Sequence, residues 1–127
     1  MLKEPIRILF VCLQGKIRSR TAAELVNLEY PGYEGRYGGT DKNALNPVTV
    51  IDLYWADVVV VMKDDIRRAL QKKFPSMRNN RKYKGPSVPL RTWDIWDVYN
   101  HNEGNLVNKL REYMNGLTVQ SGIQNAR

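Results

Sequence analysis

The 127-residue chain contains a single cysteine, Cys12, and a single histidine, His101. One cysteine cannot form an intramolecular disulfide, and it cannot build the multi-cysteine site of a structural zinc domain. The longest apolar runs, ILFVCL and WADVVVVM, are far too short to span a bilayer. The charged N-terminus lacks the pattern of a secretory signal. We therefore expect one cytoplasmic domain without membrane contact.

Negative charge is scarce relative to positive charge. The chain has 20 lysines and arginines against 13 acidic residues, a net charge of +7. This excess favours anionic partners such as phosphorylated proteins, small phosphorylated molecules or nucleic acid. Much of it lies in residues 70–85, where a solvated basic face is the simpler interpretation. No nucleic-acid-binding motif accompanies the charge, so nucleic acid is the less favoured partner.

Apolar runs alternate with helix-forming segments along the chain, which is the pattern of a parallel α/β sheet. Strands are predicted over residues 7–11, 33–39, 56–62 and 87–90. Helices are predicted over residues 19–30, 47–55, 64–74 and 103–115. Ser19 is a possible N-cap of the first helix, and Pro47 suits the first turn of the second.

The expected fold class is therefore α/β, with one small doubly wound domain. We expect a four-stranded parallel sheet of order 2-1-3-4 with helices on both faces. The domain is predicted to span residues 1–117, followed by a flexible C-terminal tail over residues 118–127.

Cys12 follows the first predicted strand, and five residues separate it from Arg18. Ligands of doubly wound sheets bind beyond the carboxyl ends of the strands. A tight loop leading into a helix near Ser19 aims backbone N–H groups and the positive helix end at one point. Arg18 adds a planar fork that matches two phosphate oxygens. The same field favours the thiolate of Cys12, to which Ser19 could donate a hydrogen bond.

This combination predicts a nucleophile next to a bound phosphate. A lone cysteine is commonly a buried apolar residue, but strand, cysteine, arginine and helix together form the context that phosphate chemistry requires. A phosphate or sulfate ion is the expected ligand of the loop. Gly15 permits the unusual backbone angles of such a loop. The expected phosphate-binding residues are Leu13, Gln14, Gly15, Lys16, Ile17 and Arg18.

The stretch ILFVCLQGKIRSRTAAEL resembles the phosphate-binding loop of the low-molecular-weight protein tyrosine phosphatases. Those proteins start with the same strand and carry Cys, five residues and Arg-Ser near the N-terminus. A second stretch, GGTDKNALNPVTVIDLYWADVVVVMKDDIRRAL, resembles their bacterial and phage branch. The resemblance covers about residues 5–115 and is specific at the loop. It implies hydrolysis of phosphotyrosine in a protein, or of a small aryl phosphate, through a phosphocysteine intermediate on Cys12, without a cofactor.

Several positions depart from the pattern of that family. Gln14 and Gly15 stand where the family usually has Gly-Asn, so the loop lacks the hydrogen bonds of the asparagine side chain. Ile17 stands where the eukaryotic members carry a second cysteine, so disulfide protection of Cys12 is not possible. Arg20 replaces a common proline and adds positive charge beside the site.

Transfer of a phosphoryl group from an ester needs a proton for the leaving oxygen and later a base for the attacking water. The segment RTWDIWDVYNHNEG supplies Asp94 and Asp97. The family carries its acid in an Asp-Pro-aromatic loop. Aligning DVYNHNEG with that loop places the acid at Asp97, with Val98 replacing the proline, and makes Asp94 the alternate. Trp96 and Tyr99 are candidates for a wall against an aryl phosphate.

The sequence therefore predicts a cysteine-dependent phosphomonoester hydrolase, most simply a protein tyrosine phosphatase of the low-molecular-weight type. Its predicted catalytic residues are Cys12, Arg18, Asp97 and Ser19. No spacing of histidine and carboxylates indicates a metal site, and His101 is expected to be a surface residue. Two alternatives stay open: a non-catalytic phosphate-binding module, and an arsenate reductase that uses external thiols.

Overall fold

Four parallel strands form the centre of the protein. The computed structural model describes residues 4–78 and 82–120. The strands are β1 (Ile6–Cys12), β2 (Tyr33–Gly39), β3 (Val58–Val61) and β4 (Leu90–Thr92). The helices are α1 (Arg18–Glu29), α2 (Val50–Trp55), α3 (Asp64–Lys73) and α4 (Gly104–Gln120). No helix within the described ranges is long and apolar enough to cross a membrane.

The strand order is β2-β1-β3-β4, and every pair is parallel. This confirms the predicted fold class and the predicted order. Strand β1 pairs with β2 on one side, where Cys12 stands opposite Gly39. It pairs with β3 on the other side, where Val11 stands opposite Val61. Cys12 therefore lies at the carboxyl edge of the sheet, between two neighbouring strands.

Successive residues of β1 pack into two separate apolar layers, because side chains alternate between the faces of a strand. Ile8, Phe10 and Cys12 belong to the layer that includes α1 and α4. Leu9 and Val11 belong to the layer that includes α2 and α3. A strand covered on both faces reads as a continuous apolar run, which is why ILFV carries no alternation. The helices cover both faces of the sheet, as predicted.

Helix α2 begins three residues later than predicted. The Thr49 hydroxyl accepts a hydrogen bond from Asp52 N at 3.3 Å, and the Asp52 carboxylate accepts one from Thr49 N at 2.8 Å. This reciprocal capping box starts the helix at Val50. Pro47 lies before the helix, in an isolated bridge with Gly39. Its predicted place in the first helical turn is therefore wrong.

Two further boundaries differ from prediction. Strand β4 covers Leu90–Thr92 instead of residues 87–90, because Leu90 is the residue that pairs with Val59 of β3. Helix α4 runs to Gln120, five residues past its predicted end. The helix thus includes the first three residues of the predicted tail, and residues 121–127 lie outside the described residues.

Helix α1 packs closely on β2 because Gly35 has no side chain. A Cβ atom at Gly35 would lie 2.9 Å from the Cα of Ala23 and 3.0 Å from its carbonyl oxygen. Asn27 of α1 also bonds both backbone groups of Gly35. Its Oδ1 accepts from Gly35 N at 2.8 Å, and its Nδ2 donates to Gly35 O at 3.1 Å. This contact sets the spacing between the helix and the sheet.

Replacing Gly35 by alanine should lower the free energy of unfolding by about 1–3 kcal/mol, the usual effect of overpacking. The matched control is Gly116→Ala in α4, where an added Cβ meets no atom within 4 Å. That change should raise the free energy of unfolding by about 0.5–1 kcal/mol, since alanine favours a helix interior. Urea unfolding measures both values. Equal effects of the two substitutions would contradict the close contact.

Candidate active site

The Cys12 loop, residues 12–18, joins the carboxyl end of β1 to the first turn of α1. Its first three carbonyl groups, those of Cys12, Leu13 and Gln14, are all bound by the segment that follows β2. Each accepts a hydrogen bond from a backbone N–H of the segment 40–45, with N to O distances of 3.0 Å. The segment that follows β2 thus holds the loop through its backbone.

The N–H groups of residues 13–17 donate no hydrogen bond to another residue in the described part of the chain. The carbonyls of this loop are bound on the side of segment 40–45, so these amides are the donors left for a ligand. They lie at the N-terminus of α1, which carries a partial positive charge. Unpaired amides at a helix N-terminus are what an anion-binding loop requires.

Gly15 allows the Cys12 loop to approach the end of β2. Its φ of +62° lies in the left-handed region that favours glycine. A Cβ atom there would come within 2.8 Å of both Gly38 C and Gly39 N. Gly15 therefore adopts one of the unusual backbone angles that were expected of it, without an asparagine side chain.

Ser19 lies inside α1 with its hydroxyl directed at the cysteine. The predicted N-cap role of Ser19 is wrong, because the helix begins at Arg18 and Ile17 occupies the cap position without a side-chain bond. Instead, Ser19 Oγ lies 3.1 Å from Cys12 Sγ. Both residues are buried, with 0% and 3% of their surface exposed. The hydroxyl can therefore donate to a thiolate at Cys12, whose sulfur is then only an acceptor.

Arg18 connects the Cys12 loop to the segment that follows β4. Its side chain is only 5% exposed. One terminal nitrogen donates to the carbonyl oxygen of Ile95 at 2.9 Å, and Nε lies 3.9 Å from Asp97 Oδ1. A guanidinium has five N–H donors, so the bond to Ile95 orients the side chain and leaves donors for an anion.

These groups line one small cavity of about 100 Å³. A cavity of this size can hold a phosphate group. Its lining residues are Cys12, Gln14, Lys16, Ile17, Arg18 and Asp97. The fold thus brings the predicted nucleophile, the predicted phosphate-binding arginine and one of the two candidate acids to the same place.

Asp94, the alternate acid, lies elsewhere. Its carboxylate receives a hydrogen bond from Lys63 Nζ at 2.8 Å, and it lines a different surface pocket that includes Asp65 and Arg68. Asp97, and not Asp94, therefore lies beside Cys12. Both carboxylates are largely exposed, Asp97 at 64% and Asp94 at 67%, so exposure does not distinguish them.

The aromatic residues near the acid segment occupy different environments. Trp93 is buried, with its ring centroid 5.7 Å from that of Phe10 and 5.1 Å from that of Tyr113. It therefore packs the segment onto the core. Trp96 is 61% exposed and lies under Lys63 Nζ at 4.0 Å, while Tyr99 packs partly buried against the core. Trp96 and Tyr99 do not line the Cys12 cavity, and their role as a substrate wall stays a prediction.

Two features of the site could not be predicted from the sequence. The acceptor of Arg18 is the backbone carbonyl of Ile95, and every residue has such a carbonyl. The second is Asp41, whose carboxylate accepts from Gln14 Nε2 at 3.4 Å. Among residues 4–78 and 82–120, no group of three or more histidine, cysteine or carboxylate side chains is arranged to hold a metal ion.

The fold of this chain was compared with those of known proteins. No protein-family model and no curated protein matches the sequence, but solved structures match the fold. The tyrosine phosphatase Wzb from Escherichia coli K30 gives a TM-score of 0.68 at 14% identity, over 91% of this chain and 97% of that one. The arginine phosphatase YwlE from Geobacillus stearothermophilus gives 0.62 at 19% identity, over 91% and 97%.

A thioredoxin-dependent arsenate reductase from Corynebacterium glutamicum gives a TM-score of 0.58 at 15% identity. It matches over all of this chain and 66% of that one. A low-molecular-weight protein tyrosine phosphatase from T. tengcongensis is also similar, with a TM-score of 0.61 at 17% identity. The chain therefore has the fold of the low-molecular-weight protein tyrosine phosphatases. At these identities the likeness establishes the fold, and the chemistry rests on the site itself.

Replacing Gly15 by alanine should weaken the binding of inorganic phosphate roughly tenfold or more. A non-glycine residue held in this backbone region costs about 1–3 kcal/mol. A free loop that relaxes to relieve this strain must recover the cost on binding, and 1.4 kcal/mol is a tenfold change in affinity. The added Cβ would also collide with β2. Titration calorimetry with phosphate measures the affinity.

Gly104→Ala is the control, because an added Cβ there meets no atom within 4 Å and the residue is outside the loop. Its phosphate affinity should equal that of the wild type. Retained affinity in a folded Gly15→Ala variant would show that phosphate binding does not depend on this loop geometry.

Proposed function

We propose that the protein is a cysteine-dependent phosphomonoester hydrolase that acts on phosphotyrosine. One observation carries the proposal: Cys12, Arg18 and Asp97 line the same cavity, whose volume suits a phosphate group. These are a nucleophile, a bidentate phosphate ligand and a proton donor, the three roles that hydrolysis of a phosphate ester needs. The similarity to the fold of tyrosine and arginine phosphatases supports the same class of reaction.

In the first step the loop amides and Arg18 bind the phosphate dianion. The Cys12 thiolate attacks phosphorus in line, so an S–P bond forms while the P–O bond to the tyrosine oxygen breaks. Asp97, in its acid form, gives its proton to the leaving oxygen. The hydroxyl of Ser19, 3.1 Å from the sulfur, stabilises the thiolate before attack and after its release.

In the second step Asp97, now a carboxylate, takes a proton from a water molecule. That water attacks phosphorus, the S–P bond breaks, and the electron pair returns to Cys12 as a thiolate. Inorganic phosphate leaves the loop, and Asp97 again carries the proton it began with. One carboxylate serves as acid and then as base, so the cycle needs no second carboxylate and no metal or other cofactor.

Of the two alternatives, arsenate reduction is disfavoured because the chain has too few cysteines to complete the reductive cycle by itself. Cys12 is the sole cysteine of the chain, so every later thiol in a reductive cycle would have to come from another molecule. A purely phosphate-binding module would use the loop and Arg18 but would leave Asp97 without a role. The position of Asp97 on the cavity therefore favours hydrolysis over a binding module, and the single cysteine favours hydrolysis over arsenate reduction.

The Cys12→Ser variant should lose hydrolysis of para-nitrophenyl phosphate by roughly 10³-fold or more, because removal of a covalent nucleophile removes the main reaction path. The wild type should release a burst of the phenol before its steady rate. The variant should still bind inorganic phosphate, since the loop amides and Arg18 remain. An unchanged rate in Cys12→Ser would reject the proposal, and arsenate-dependent oxidation of thioredoxin by the wild type would favour the reductase.

Asp97→Asn should lower kcat for phenyl phosphate by roughly 10²-fold or more, the usual effect of losing a general acid. The loss should be smaller for para-nitrophenyl phosphate, whose leaving group needs less protonation. Asp94→Asn is the control and should stay near wild type, because its ion pair with Lys63 is outside the cavity. The reverse result would assign the acid to Asp94.

The amino acid that carries the phosphate is tested with matched peptides. We expect higher kcat/KM for a phosphotyrosine peptide than for a phosphoarginine peptide of the same sequence. A preference for phosphoarginine would keep the hydrolase mechanism and change its substrate.

A further inference from the structure

The segment from Asp97 to Asn102 is attached to helix α1 at a second place, away from Arg18. His101 Nε2 lies 2.6 Å from Glu24 Oε1, and Asn102 N donates to Thr21 Oγ1 at 3.1 Å. The side chains of His101 and Glu24 are 31% and 38% exposed, and Thr21 is fully buried. These two bonds tie the segment after Asp97 to the middle of α1.

The backbone of this segment is shaped to make the attachment. Asn102 has a φ of +59°, the one positive φ of a non-glycine residue in the described ranges. Asparagine tolerates this conformation better than most residues. The turn presents the N–H of Asn102 to Thr21 and brings His101 against Glu24. The left-handed turn is thus coupled to both bonds with α1.

Helix α1 holds the segment around Asp97 at two points, one before Asp97 and one after it. Its first residue, Arg18, holds the segment before Asp97 through the carbonyl of Ile95. Glu24, six positions further along the same helix, holds the segment after Asp97 through His101. Asp97 therefore lies between two anchors on one rigid element, and its distance from Cys12 depends on both.

The charges around the pair keep Glu24 ionised. Partial burial raises the pKa of Glu24, but the hydrogen bond and charge of His101, together with Arg20, outweigh burial and leave the pKa below its ordinary value. Arg20 Nε lies 3.4 Å from the second carboxylate oxygen. Because the pKa of Glu24 is lower in the folded protein than in the unfolded chain, its ionisation stabilises the fold at pH values above the unfolded-chain pKa. This stabilisation is lost as the pH falls through the pKa of Glu24 in the folded protein. Glu24 is thus a carboxylate at neutral pH and accepts from His101.

We propose that His101 and Glu24 are a positioning pair for Asp97. Their bond holds the segment 97–102 against α1 so that the Asp97 carboxylate faces the Cys12 cavity. The pair does not line the cavity, so it acts on the proton transfer through Asp97 and leaves phosphate binding alone. This inference rests on the proposed function, since it assigns a role relative to the proposed acid.

The test compares kcat and KM for phenyl phosphate and para-nitrophenyl phosphate in His101→Ala and Glu24→Ala. We expect kcat for phenyl phosphate to fall roughly tenfold, since a misplacement near 1 Å costs up to about 10²-fold. The fall should be smaller with para-nitrophenyl phosphate. KM and the inhibition constant of inorganic phosphate should change less than about twofold, because the Cys12 loop is untouched. The double variant should be no slower than the slower single variant, since both remove one bond.

Two further variants separate positioning from general stability. His101→Gln keeps an N–H donor near the position of Nε2 and should recover most of the lost kcat. Glu29→Ala removes another ion pair of α1, the 2.7 Å contact with Arg111 of α4, which does not touch the segment 97–102. It should leave kcat for both substrates near wild type.

Each outcome decides the inference. Similar kinetics in His101→Ala and Glu29→Ala, or equal losses with both substrates, would reduce the pair to a structural contact and overturn it. Should His101→Ala fail to fold, Glu24→Ala and His101→Gln carry the same comparison. A wild type without Cys12-dependent turnover would overturn the proposed function and this inference together, whereas an active wild type with unaffected variants would overturn the inference alone.

Discussion

Burial of β1 on both faces is the constraint on which the rest of the structure depends. Ile8 to Val11 are fully buried, and their alternating side chains join the two apolar layers of the domain. Burial of this kind contributes about 1.5–3 kcal/mol for each large apolar side chain. It fixes the strand in the centre of the sheet, with partners on both sides. Cys12, the last residue of β1, is consequently held at the carboxyl edge with little freedom.

The chemistry at that edge is built mainly from backbone. Three loop carbonyls are bound by the segment after β2, which leaves the loop amides for an anion. A site made of amides tolerates a change of side chain if the backbone conformation is kept. This explains how Gly15, with a φ of +62°, can stand where the loop that it resembles usually has asparagine. In the proposed function the side chains add what amides lack: a nucleophile at Cys12, a cation at Arg18 and a proton donor at Asp97.

Features set by residues close together in the sequence could be predicted, whereas features set by contacts between distant residues could not. The strands of the two apolar runs and the Cys12 loop were predicted, because continuous apolar residues and a strand-loop-helix pattern are local signals. The start of α2 was missed, although its capping box of Thr49 and Asp52 is local and readable. The position of β4 was missed for a different reason: its bounds are set by register with β3, which no local pattern records.

The sequence by itself determined the fold class and the candidate nucleophile with its arginine, since these follow from local periodicity and from one short motif. The strand order was expected from the doubly wound topology, and only the pairing of distant strands fixes it. The resemblance already preferred Asp97 to Asp94, but only the tertiary structure shows that their environments differ. The two residues are three positions apart in one irregular segment, and their neighbours come from distant parts of the chain: Arg18 beside Asp97 and Lys63 beside Asp94. The contact between His101 and Glu24, 77 positions apart, likewise exists only once the chain has folded.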